Sequence, residues 1–86
     1  MKCSIEISMY PLSEDYERIV LGFLDNLKNE NLDFRTSGIS TQIFGDYQEV
    51  WPALGRAMQR SYEEHEKASF VIKVLSGEHK ALMNGY

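Results

Sequence analysis

From Cys3 to Leu12 the chain alternates strictly: Cys3, Ile5, Ile7 and Met9 fall on one side, Ser4, Glu6, Ser8 and Tyr10 on the other. A period of two predicts a half-buried strand. The pattern then changes period. Tyr16, Ile19, Val20, Phe23, Leu24 and Leu27 recur at helical spacing and predict a helix over 14–29. Ser13 reads as its N-cap, and Glu14, Asp15 and Glu17 place negative charge in the first turn, where the helix dipole favours it. Leu32–Ser37 and Ser40–Phe44 read as two further strands, and the short link through Gly38 makes them a hairpin. Asp46 and Glu49 resemble a capping box ahead of a second helix carrying Val50, Leu54, Ala57, Met58 and Tyr62. Pro52 falls in its second turn, where it removes a hydrogen bond, and predicts a kink near Trp51-Pro52 or a short first turn followed by the main helix. Glu63–Lys67 reads as a solvated end, and Ala68–Leu75 as a fourth strand stopped by Ser76-Gly77. Glu78–Tyr86 carries no pattern that assigns it.

Strand, helix, strand, strand, helix, strand is the split βαβ order of a ferredoxin-like α+β sandwich. Right-handed crossovers put both helices on one face of a four-stranded antiparallel sheet, with the first and third strands central. The inward positions predict a core of Ile5, Ile7, Ile19, Val20, Phe23, Leu27, Ile43, Leu54, Phe70 and Ile72. Glu6, Ser4 and Ser8 then lie on the open face beside Ser40, Gln42 and Phe44, while Thr41 points towards the helices or the hairpin end.

Eighty-six residues make one domain, 1–86, whose hydrophobic fraction of 43% allows a core. The net charge of −4 argues against a nucleic-acid partner, which calls for a basic face. No apolar run approaches the ~20 residues of a membrane span, and Met1-Lys2 leads straight into the first strand rather than into a signal-like apolar stretch. Cys3 is the sole cysteine, so no internal disulfide forms. Cytoplasmic localisation is the expectation, as is self-association to a dimer or tetramer that covers apolar groups such as Phe44 and Val71 on the open face.

The candidate chemistry is binding rather than catalysis. Glu6 on a central strand calls either for a cationic neighbour, Arg35 or Lys73, or for a ligand that donates hydrogen bonds. Ser8, Ser40 and Thr41 supply hydroxyl or backbone contacts near it, and Phe44 or Trp51 a flat wall for a heterocycle, although packing is the commoner use of such aromatics. A Cys3–histidine nucleophile is disfavoured: Cys3 faces the helices, His65 sits in a charged run and His79 in the tail. Glu63, Glu64, His65 and Glu66 are spread around a helix rather than along one face, which suits solvent better than a metal. RNA recognition on this topology needs aromatics on the central strands in a basic setting, and Glu6 stands there instead.

With these residues in place, the chain resembles the YkoF-like family of thiamine- and hydroxymethylpyrimidine-binding domains. The resemblance rests on IEISMYPL at Ile5–Leu12 and STQIFGDYQEVW at Ser40–Trp51, in which Thr41, Ile43, Gly45 and Asp46 match the family pattern, and it extends over about Lys2–Glu78. It implies a non-enzymatic binder of thiamine or its pyrimidine half, with no cofactor, acting in transport or salvage. The alternatives are a cofactor-independent enzyme of the dimeric α/β-barrel kind, and a structural or regulatory oligomer without a ligand. An aminopyrimidine suits a carboxylate, hydroxyls and an aromatic wall.

Overall fold

The elements follow in the expected order: β1 (Lys2–Pro11), α1 (Tyr16–Asn29), β2 (Asp33–Thr36), β3 (Thr41–Asp46), α2 (Tyr47–His65) and β4 (Ala68–Ser76). The structure, a computed structural model, describes residues 1–38, 40–65 and 67–80. The sheet is antiparallel throughout, in the order β2-β3-β1-β4. The architecture is therefore the ferredoxin-like βαββαβ sandwich, with β1 and β3 central.

Register decides what each face carries. Ile5 opposes Ile43, Ile7 opposes Thr41, and Phe34 opposes Ile43, so these residues share the face on which the helices pack. Cys3, Ile5, Ile7, Phe23, Leu27, Ile43, Val50, Leu54 and Ala57 form one buried cluster there. Most of the expected core is buried; Val20, Phe70 and Ile72 are half-buried, because they lie towards the ends of the helix–sheet seam. Phe70 on β4 closes that seam, with its ring 4.9 Å from Phe23 and 5.5 Å from Tyr62. Between the helices Asn26 donates to Ser61 Oγ at 3.1 Å and to Glu64 Oε1 at 3.0 Å, which satisfies a buried amide.

Local differences from expectation have simple causes. The first helix begins at Tyr16, because the Ser13 hydroxyl accepts from the Asp15 amide (3.2 Å) and closes a turn instead of capping a helix. The second helix runs through Pro52 without a break. The proline removes only the bond to the Gln48 carbonyl, and both residues are exposed, so water can take its place. At the start of α2 the Tyr47 amide donates to the Met1 carbonyl at 2.8 Å. Gly45 leads into this helix where an added Cβ would meet Val50 Cγ2 at 2.8 Å; only glycine fits.

The open face differs most from the sequence reading. Gly77, at φ +90°, turns the chain back over it. The Ser4 hydroxyl donates to the Gly77 carbonyl (2.9 Å) and accepts from the His79 amide (2.8 Å). Lys80 reaches Asp33 at 2.7 Å and lies over the Phe44 ring, which Arg35 also overlies. Residues 77–80 thus strap one end of the open face across β1, β3 and β2. Ser4 is fully buried, and Phe44, placed on this face as expected, is only 3% exposed rather than available as a wall. Residues 81–86 of the tail and Glu66 of the acidic run lie outside the described residues.

Candidate functional site

Two groups of polar side chains meet at the hairpin end of the sheet. The first lies on the open face. Glu6 opposes Gln42 on β3 and Lys73 on β4. Its carboxylate lies 3.7 Å from Lys73 Nζ and accepts from Ser40 Oγ at 3.3 Å. Gln42 Nε2 donates in turn to Ser40 Oγ at 3.4 Å. The charge is therefore compensated within the chain, by one of the two cations the sequence offered.

The second group lies on the helix side. Ile7 and Met9 at the end of β1, Val20 and Phe23 on α1, and the hairpin residues line a half-open cavity of about 490 Å³. This is within the range of small-molecule sites. It exists because β1 ends, α1 begins and the hairpin turns at the same edge of the sandwich, so the seam between helix and sheet stays open there. Its polar groups gather on the hairpin. Thr36 and Thr41 oppose one another in the β2–β3 register, and their hydroxyls are 2.9 Å apart. The Thr36 hydroxyl also lies 3.4 Å from the Ser37 and Ser40 carbonyls, which can take its proton, so with Thr41 donating to Thr36 the pair offers a ligand lone pairs that accept a hydrogen bond.

Of the residues singled out in the sequence, Ser8, Ser40 and Thr41 border this cavity. Ser40 joins the two groups, because it borders the cavity while its hydroxyl holds Glu6 on the other face. Trp51 is elsewhere: it sits in the first turns of α2 at the opposite end of the sheet, half-buried against the core, with the Tyr47 ring 6.1 Å away and its buried Nε1 without a partner. Phe44 lies under the strap. The sequence reading missed Tyr10, Tyr16 and Glu17, all exposed and all bordering the cavity. Tyr10 and Tyr16 flank the turn joining β1 to α1, and an aromatic on each side of one turn was the available signal.

Neither His65 nor His79 borders the cavity, and the latter's Nε2 lies 2.6 Å from the Ser76 carbonyl. Among the described residues, no group of three or more His, Cys, Asp or Glu side chains could hold a metal ion, and no helix is long and apolar enough to cross a membrane.

A family model, that of the YKOF-related family, matches residues 2–77, which takes in every strand and both helices except for a flanking tail. The chain belongs to the YKOF-related family. Solved structures repeat its fold at low identity. A Streptococcus pneumoniae protein is 20% identical with a TM-score of 0.82, over 99% of this chain and 97% of that one. A Thermotoga maritima protein, provisionally named for thiamine biosynthesis/salvage, is 12% identical with a TM-score of 0.77, over 94% and 86%. A domain of unknown function from Bacillus cereus is 15% identical with a TM-score of 0.76, over 92% and 79%. Among curated proteins none matches the chain. The fold is thus shared across distant sequences, one of which carries the provisional thiamine name.

Proposed function

We propose that this protein is a non-enzymatic binder of thiamine or its hydroxymethylpyrimidine moiety, serving transport or salvage, and that the pyrimidine ring occupies the cavity at the hairpin end. The observation that carries the reading is the cavity itself: apolar walls from Ile7, Met9, Val20 and Phe23, closed on one side by the Thr36–Thr41 hydroxyl pair. Apolar walls take the faces of a flat ring, and hydroxyl oxygens that accept suit the amino group on its edge. Tyr10 or Tyr16 supplies the aromatic surface first sought at Phe44 and Trp51. Ser8 and Ser40 complete the border, and Glu6 acts one hydrogen bond behind, by fixing the Ser40 hydroxyl. Family membership supports the reading, and so does the name of the Thermotoga maritima neighbour. The placement of both histidines away from the cavity, and the burial of Cys3, favour binding over turnover. Self-association is part of the proposal: Val71 and Leu75 on the outer strand β4 leave apolar surface beside the strap.

Calorimetry with thiamine and with hydroxymethylpyrimidine tests it. Sub-millimolar binding of either compound is the expected result. Thr41→Val keeps the shape and removes one hydroxyl, and is expected to weaken binding by about 0.5–1.5 kcal/mol, roughly two- to tenfold. Absence of binding to both compounds by the wild-type protein overturns the reading.

A further inference from the structure

The cavity has a charge bias. Among the described residues that border it there is no Lys, Arg or His, and its one ionisable carboxylate is Glu17. Glu17 is exposed and has no ion-pair partner among the described residues. A carboxylate in a first turn stabilises a helix wherever it points. This one stands where the turn borders the cavity, next to Tyr16. The neighbouring turn adds Glu14 and Asp15, and Arg18 beside Glu17 is engaged by Asp15 at 3.2 Å. The positive end of the α1 dipole is thereby already answered by carboxylates, so the start of this helix does not offer an anion the site that helix N-termini usually can.

We infer that the site selects by charge: it takes a ligand that carries a cationic group next to its flat ring, Glu17 facing that group, and it discriminates against the phosphorylated form of the same ligand. This rests on the proposed thiamine-binding function and adds to it. Under that reading the cationic group is the thiazolium ring of intact thiamine, and the cavity is larger than one six-membered ring requires. Free hydroxymethylpyrimidine has no permanent cation and is indifferent to Glu17. A phosphate ester brings about −1.5 to −2 charges to a border with no base to receive them, and it gives up hydration without replacement.

The test is calorimetry of the wild type and Glu17→Gln with thiamine, thiamine monophosphate and hydroxymethylpyrimidine, at low and high salt. Because Glu17 is exposed, the expected effect is that of a solvent-screened pair. Thiamine binding weakens by about two- to fivefold in Glu17→Gln, hydroxymethylpyrimidine binding does not change, and the thiamine loss shrinks at high salt. In the wild type, thiamine monophosphate binds at least about fivefold more weakly than thiamine, and Glu17→Gln narrows that gap. An unchanged melting temperature separates these effects from misfolding. Equal binding of thiamine and its monophosphate, or an equal loss for thiamine and hydroxymethylpyrimidine in Glu17→Gln, overturns the charge selection and leaves the binding function standing. No binding of thiamine or hydroxymethylpyrimidine to the wild type overturns the binding function, and the charge selection with it.

Discussion

Ser4→Ala removes the hydroxyl that ties residues 77–80 to the open face. Ser4 is fully buried, and its one oxygen makes two bonds, to the Gly77 carbonyl at 2.9 Å and from the His79 amide at 2.8 Å. Each such bond contributes about 0.5–1.5 kcal/mol net. Gly77 and His79 are half-buried, so water reaches the freed groups in part and the combined loss falls at about 1–2 kcal/mol. For a domain of this size each kcal/mol lowers the melting temperature by roughly 4–8 °C, so the expected drop is roughly 4–16 °C. Thermal unfolding followed by circular dichroism reads the loss. Hydrogen exchange places it: the His79 amide should be protected in the wild type and exchange much faster in the variant, while amides of the β1–β3 ladder keep their protection. Ser8→Ala is the control on the same strand and face, with an expected change within about 0.5 kcal/mol. An unchanged melting temperature together with unchanged exchange at His79 would refute the strap.

Two further outcomes are expected. Gly45→Ala forces a Cβ to within 2.8 Å of Val50 Cγ2; valine has little rotamer freedom, so the backbone must shift, and a loss of about 1–3 kcal/mol is expected in urea unfolding. Burial, helped by the nearby Asp46 carboxylate and opposed by the N-terminal amine, pushes the Cys3 thiol above its ordinary value. The unfolded chain therefore loses this proton at a lower pH than the folded one, so stability should begin to fall as pH rises past about 8.5 and keep falling until the folded thiol ionises too. A Cys3→Ala variant should lack that part of the slope, and in the wild type a thiol reagent should react at the rate of unfolding. Reaction as fast as that of a free thiol would contradict the burial.

Some of this protein was written in local pattern. The alternation of Cys3–Met9 and the stripe from Tyr16 to Leu27 assigned β1 and α1, and the order of elements then allowed one sandwich. Handedness and strand length leave few ways to pack two helices on four strands. The inward set Ile5, Ile7 and Ile43 followed, because a period of two fixes a face once any one residue of the strand is placed. Cross-strand register was also legible in part: Glu6 had Lys73 and Arg35 as possible partners, and only pairing of β1 with β4 brings Lys73 opposite.

The site depended on the tertiary structure. Tyr10, Tyr16, Glu17 and Thr36 meet Thr41 across as many as 31 sequence positions (from Tyr10 to Thr41), and no local period records such a meeting. Phe44 and Trp51 look alike to a sequence reading, as aromatics near a turn. One is sealed under a strap from the chain's end, and the other is carried by α2 to the far end of the sheet. Periodicity specifies which way a side chain faces, since that is set by the backbone torsions of its own element. What it faces is set by long-range packing and by where the chain ends turn back, and for this protein only the folded structure brought those together.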